Sequence, residues 1–351
     1  MNDVSTYTNS NLWVNGSAMT GRRFVLTCLA LFLSAVLLVY LWHAADLQSV
    51  RIGELLAGIE FWHIALFIAA VTANLFLSGE RWLVIARAAA RPAERLLDRR
   101  SLFLCTAVGG LLGQVMPVQV SMAVARGLGL RLQQRSGFAR GAIHTIYEYI
   151  FDFFFLLGLA VPSYLILTGA LDPERALYVL SAAILLAAVI GVLVLDVMYQ
   201  AGEQFFGRAG ASRLPPRIAE ILATGVPRLR SNQVHLLSLL SLLRFMASVA
   251  SVLVLASALN FDVQAWQVMI SLPLAQLMVL IPITPGGLGV LEWTWASSLH
   301  MMGVSFTKAA VLILAARVLG ILALFAITAV AAAIYALTPH DPKAQKASEG
   351  D

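Results

Sequence analysis

Between Phe24 and Trp42, nineteen consecutive residues carry no Lys, Arg, Asp or Glu. As an α-helix rising 1.5 Å per residue, such a run covers the roughly 30 Å hydrocarbon core of a bilayer. Comparable apolar runs recur at 62–79, 143–169, 177–199, 236–259 and 309–337. Lipid offers no partner for backbone N–H and C=O groups, so these runs must be helical. Composition agrees. Hydrophobic residues make up 60% and charged residues 12% of the 351, against about 25% charged in soluble domains, and the mean hydropathy is +0.82. The expected fold is an all-α polytopic membrane protein with about six full transmembrane helices.

The net charge of +5 fits Arg-rich loops beside an anionic membrane leaflet, and no nucleic-acid partner is expected. Cys28 and Cys105 both lie in apolar runs, without a CxxC pair or a disulfide framework. Arg22 and Arg23 precede a first run that is longer than a signal-peptide core and lacks a small-x-small cleavage site, so it reads as a retained span. The expected organisation is a polar tail at 1–21, one integral membrane domain at 22–337 and a polar tail at 338–351.

Two further apolar stretches are broken. One, 102–125, contains Gly109, Gly110, Gly113 and Pro117; the other, 266–302, contains Pro273, Pro282, Pro285, Gly286, Gly287 and Gly289. Interrupted backbone at membrane depth must face protein or a wet cavity. Basic residues orient the chain. Segment 80–100 holds six Arg, 121–142 four and 200–235 five, whereas 43–61 and 170–176 hold one each. The positive-inside rule then puts both termini in the cytoplasm. The loops on either side of the first broken stretch are both Arg-rich, so it is expected to dip in and return. The second has no Lys or Arg from 260 to 307 and is expected to dip from the exterior. Each half, 22–172 and 173–337, then has two spans, a re-entrant segment and a third span. Three spans per half make the halves inverted 3+3 repeats, the arrangement that places a transporter's binding site at paired broken helices.

Charges inside the apolar runs mark the candidate site. Arg140, His144, Glu148 and Asp152 recur every four residues on one helical face. Arg140 and His144 are expected at a solvated cytoplasmic helix end. Glu148 and Asp152 lie deeper among aromatic residues, where carboxylates are costly unless partnered or hydrated. The cationic candidates are Arg81 at the inner end of the second span, Arg126 after the first break, Arg244 and Arg317. Arg244 can either snorkel to the inner surface or turn inward. Arg317 is too deep to snorkel readily, and Glu292 sits directly beyond the broken backbone.

At these residues the sequence resembles the transmembrane region of bacterial lysylphosphatidylglycerol synthases and their stand-alone flippase-like relatives. The stretch Ile281-Pro-Ile-Thr-Pro-Gly-Gly-Leu-Gly-Val-Leu-Glu292, followed by Arg317, is similar to the family's Pro-x-x-Pro-Gly-Gly-x-Gly-x-x-Glu signature. Arg81-Trp82, Pro117 leading to Arg126, and Glu148 with Asp152 support the likeness over about 20–335. Relatives often carry a Gly-Gly-acid cluster where this chain reads Val118-Gln-Val-Ser-Met-Ala-Val-Ala125. No aminoacyltransferase domain follows in this sequence, so lysyl-lipid synthesis is not expected of it. The resemblance implies movement of a lipid or lipid-linked headgroup between the leaflets of a bacterial inner membrane. The residues it implicates are Arg81, Pro117, Arg126, Glu148, Asp152, Pro282, Pro285, Gly286, Gly287, Gly289, Glu292 and Arg317.

A headgroup phosphate could be held by Arg126 and Arg317, and a cationic group by Glu148, Asp152 and Glu292. No GxxxxGK[ST] phosphate loop is present, and neither a cofactor nor catalysis is expected. Two other classes stand beside transport. One is a membrane-embedded enzyme acting on lipid headgroups, with His144, Glu148 and Asp152 as conceivable metal ligands. The other is a non-catalytic scaffold for a glycosyltransferase or lipid-modifying partner.

Overall fold

The computed structural model describes residues 21–49, 53–54, 58–89, 96–134, 138–171, 182, 229–280 and 284–337. Nine α-helices are defined among these residues: α1 (Gly21–Ala44), α2 (Phe61–Ala89), α3 (Arg99–Leu112), α4 (Val118–Gln134), α5 (Phe138–Leu167), α6 (Ser231–Ala258), α7 (Ala265–Leu280), α8 (Val290–Met301) and α9 (Phe306–Leu337). Four of them, α2, α5, α6 and α9, are long and apolar enough to cross a membrane. Helix α1 covers the expected first span, and its stretch Cys28–Ala44 is a shorter apolar helix. The expected span at 177–199 lies outside the described residues.

Both broken stretches are pairs of short helices. In the first, α3 is started by Asp98, whose carboxylate accepts from the backbone N–H groups of Arg100 and Ser101 at 3.2 Å. Residues 113–117 make the turn, and Pro117 starts α4 where its missing N–H is no loss. In the second, α7 runs straight through Pro273, which therefore does not interrupt the helix as its sequence suggests. The break comes later, at the 3-10 turn Pro285–Gly287. Gly286 and Gly289 there have φ of +59° and +82°, a left-handed region that L-residues with a Cβ occupy at a cost. A Cβ on Gly289 would also lie 2.6 Å from Leu37 Cβ of α1.

Packing repeats between the halves. Helix α2 packs along α6; α5 packs on α7, and α9 packs on α3. The second helix of each pair, α4 or α8, packs on the long helix that follows it, α5 or α9. Exchanging the halves maps this pattern onto itself. The principal apolar core joins both halves, from Leu75, Phe151 and Phe155 to Phe245, Val249, Leu272, Trp295 and Leu312.

Helices α4 and α5 cross on facing glycines. A Cβ built on Gly141 would lie 2.8 Å from Gly127 Cα and 3.0 Å from the Arg126 carbonyl oxygen, whereas one on Gly320 of α9 would meet nothing within 4 Å. Gly141→Val should therefore cost about 1–3 kcal/mol through overpacking, read as a lower melting temperature in detergent. Gly320→Ala should be neutral or slightly stabilising. Equal effects at the two positions would contradict this packing.

Candidate functional site

Helix α5 presents Glu148 and Asp152 one turn apart on its inner face, and both are buried. Asp152 meets Arg81 of α2 in a two-point ion pair: Nη2 lies 2.5 Å from Oδ1, and Nη1 donates to Oδ2 at 3.1 Å. The same Oδ2 accepts from Arg244 Nη1 of α6 at 2.6 Å. Glu148 Oε2 accepts from Arg126 Nη1 of α4. Its Oε1 accepts from Ser78 Oγ at 3.1 Å and lies 3.6 Å from Arg81 Nη1. Arg126 is fully engaged, with Nη2 donating to Ser78 Oγ at 2.9 Å and Nε to Thr106 Oγ1 at 3.4 Å. Three guanidiniums and two carboxylates thus lock four helices together.

The second half carries its own pair. Arg317 Nη1 of α9 lies 3.0 Å from Glu292 Oε1 of α8, and Arg317 Nη2 donates to the Gly286 carbonyl at 2.8 Å. Glu292 Oε2 accepts from the Gly289 N–H at 2.7 Å, so the carboxylate also caps its own helix. The polarity is reversed between halves. In the first, the hairpin supplies the cation (Arg126) and the following long helix the anion (Glu148); in the second, the hairpin supplies the anion (Glu292) and the long helix the cation (Arg317).

The hairpins meet at their breaks. Gln119 Nε2 at the start of α4 donates to the Leu280 carbonyl at 3.2 Å, supplying a partner at the C-terminal end of α7. Gly286 lies against the Gln114 backbone so closely that a Cβ would collide with its carbonyl. Beside this junction lies a cavity of about 360 Å³, bordered by both breaks (Gly113, Gln114, Gly286), by Tyr149 and Asp152, by Ser241, Arg244, Ser248 and Ser251 of α6, and by Arg317.

The residues singled out by sequence therefore separate into layers. Asp152, Gly286 and Arg317 line the cavity. Arg81, Arg126, Glu148 and Glu292 do not line it; all are at most 2% exposed and hold the liners in place. Pro117 and Pro285 shape the breaks. Gly287 and Gly289 sit at the second break, with Gly289 turned toward α1, and Pro282 lies outside the described residues. Arg81 is not at a helix end, because α2 continues to Ala89 and buries it completely. His144 is likewise buried rather than at a solvated end, its ring 5.9 Å from that of Trp82. No group of three His, Cys, Asp or Glu placed to hold a metal occurs among the described residues, and Glu148 and Asp152 face guanidiniums instead.

Sequence reasoning left Arg244 undecided and missed Gln114, Gln119 and Ser78. Arg244 had a readable signal: Ser241, Arg244, Ser248 and Ser251 recur at three- and four-residue spacing on one face of an otherwise apolar helix. Ser78 carried none.

Glu148→Gln should destabilise the protein by about 3–5 kcal/mol, because Arg126 is left buried without its carboxylate; Arg126→Gln should cost less, because Glu148 keeps Arg81 at 3.6 Å. The double substitution should cost less than the sum. Arg244 is 30% exposed at its side chain, and Arg244→Gln leaves Asp152 paired with Arg81, so its effect on stability should be far smaller. Thermal unfolding in detergent measures all four; strict additivity of the first two would contradict the pairing.

The model of one protein family, the lysylphosphatidylglycerol synthase TM region, matches residues 27–337. No match was found among curated proteins or among solved structures. With nearly the whole chain covered, the protein belongs to the family of the lysylphosphatidylglycerol synthase transmembrane region.

Proposed function

We propose that this chain carries a lipid, or a lipid-linked headgroup, between leaflets through the cavity between its two halves, without covalent chemistry. The observation that carries the reading is the cavity itself: about 360 Å³, lined largely by apolar side chains, and bordered by both helix breaks and by Arg244, Asp152 and Arg317. Its volume suits a headgroup rather than a whole lipid. The acyl or prenyl tails would remain in the bilayer while the headgroup crosses along guanidinium, hydroxyl and backbone partners. Paired breaks at corresponding positions of two like halves are the arrangement that secondary transporters use for alternating access.

In this reading the hairpins α3–α4 and α7–α8 are re-entrant, the first from the cytoplasm and the second from outside, and the halves are inverted repeats. The protein sits in the bacterial inner membrane with both termini cytoplasmic, as its Arg distribution suggests. A partner that makes or uses the lipid, such as a glycosyltransferase or lipid-modifying enzyme, fits a carrier as well as it fits a scaffold. A scaffold, however, has no use for a cavity lined by the guanidiniums of Arg244 and Arg317.

The test is reconstitution of the full chain into liposomes with an acyl-labelled phosphatidylglycerol, reading outer-leaflet label with a membrane-impermeant quencher. Wild-type protein should raise the quenchable fraction from about half toward completion, and Arg317→Gln should slow this by about tenfold or more, a cost on the order of 1.4 kcal/mol at the barrier. No movement with any acidic, zwitterionic or cationic glycerolipid would remove the reading. For topology, single cysteines at 86–100 and 127–139, on a background lacking Cys28 and Cys105, should both resist an impermeant thiol reagent applied from outside. Labelling of one loop only would make the first hairpin a crossing segment.

A further inference from the structure

Among the described residues the buried charges at and behind the cavity do not balance. Four guanidiniums, those of Arg81, Arg126, Arg244 and Arg317, pair there with three carboxylates, those of Glu148, Asp152 and Glu292. Glu80, next to Arg81, does not alter the count, because it pairs with Arg99 at 2.8 Å. Among the described residues the cluster keeps one positive charge in excess.

The excess has a location. Both oxygens of Asp152 are already engaged by Arg81, which is fully buried. Arg244 shares one of those oxygens, and its side chain is the most exposed of the four guanidiniums, at 30%. Arg317 is also a lining residue, whereas its partner Glu292 is buried and does not line the cavity. Arg317 Nε is buried with no hydrogen-bond partner among the described residues. The cavity is therefore faced by two guanidiniums and by one carboxylate that is already neutralised. An uncompensated charge in a low-dielectric site is costly and is relieved by a counter-charge.

We infer that the headgroup this cavity accepts carries a net negative charge, with its anionic group between Arg244 and Arg317, and that a headgroup made net positive by aminoacylation is disfavoured. The inference rests on the transport reading and narrows it to an acidic lipid. The chemistry is that of a phosphate or carboxylate monoanion meeting guanidinium donors. A cationic ammonium would meet two like charges and find no free carboxylate, which is how a site rejects a close relative of its ligand.

The experiment is native mass spectrometry of the full chain in detergent, titrated with phosphatidylglycerol (net −1), phosphatidylcholine (net 0) and lysylphosphatidylglycerol (net +1) of identical acyl chains, with inorganic phosphate as a competitor. Phosphatidylglycerol should be retained about tenfold or more over both other lipids. Arg244→Gln should abolish the preference, and Arg244→Lys should keep most of it, since it preserves the charge. Equal or tighter binding of lysylphosphatidylglycerol would overturn the inference. Displacement of phosphatidylglycerol by inorganic phosphate alone would overturn the lipid source and leave a free-anion site. The same lipids run in the liposome assay separate the two claims. Redistribution of all three at one rate would sink the charge preference and leave transport standing, whereas selective binding without redistribution would sink transport and leave the preference.

Discussion

Glu148 and Asp152, one turn apart on α5, bind guanidiniums arriving from α2, α4 and α6. Two acids so close in a poorly solvated site would repel each other, and three guanidiniums would do the same. Interleaved, they offset both repulsions and the loss of water. The geometry is over-determined: no helix of the four can shift without unpairing a charge. The cavity edge inherits that rigidity, because Arg244 and Asp152 belong to the cluster and to the lining alike. Apolar packing alone would not give it, since in lipid there is little hydrophobic gain from joining one helix to another.

The two halves solve one problem with opposite signs. A short hairpin has too little surface to hold itself against its neighbours, and in each half an ion pair ties its second helix to the next long helix. Arg126 with Glu148 and Glu292 with Arg317 are interchangeable for this purpose, because attraction does not depend on which partner is positive. The field in the cavity does depend on it. In the first half the hairpin cation is sealed in by Ser78, Thr106 and Glu148. In the second, the cation sits on the long helix and faces the cavity, with the anion held back by its own helix N-terminus. Reversal of one pair therefore leaves the scaffold intact and turns its cation, rather than its anion, toward the cavity.

Much of this was legible in the sequence. Among the described residues, apolar run length gave the long helices, and the Gly and Pro clusters, Pro273 apart, gave the breaks to within a few residues. The need of Glu148 and Asp152 for partners followed from the cost of charge in lipid, and both have guanidinium partners. What the sequence obscured has specific causes. Pro273 looked like a breaker, but a proline's lost hydrogen bond is tolerated inside a packed helix. Arg81 looked terminal because Glu80 and Arg81 end the apolar run, yet α2 continues on the strength of its contacts with α3 and Leu97. The division between cavity-lining and supporting charges is a matter of three-dimensional direction, which no spacing rule encodes. Arg126 and Arg317 look alike in sequence; one is walled in and the other faces open space.

The central claim is that the space between Arg244 and Arg317 is where a headgroup resides. The direct measurement is a cryo-electron microscopy map of the full chain in nanodiscs of acidic phospholipid. The account predicts headgroup density within hydrogen-bond distance of both guanidiniums, with acyl chains leading out toward the bilayer. A cavity filled by acyl chain, or headgroup density confined to the outer surface of the helices, would contradict it.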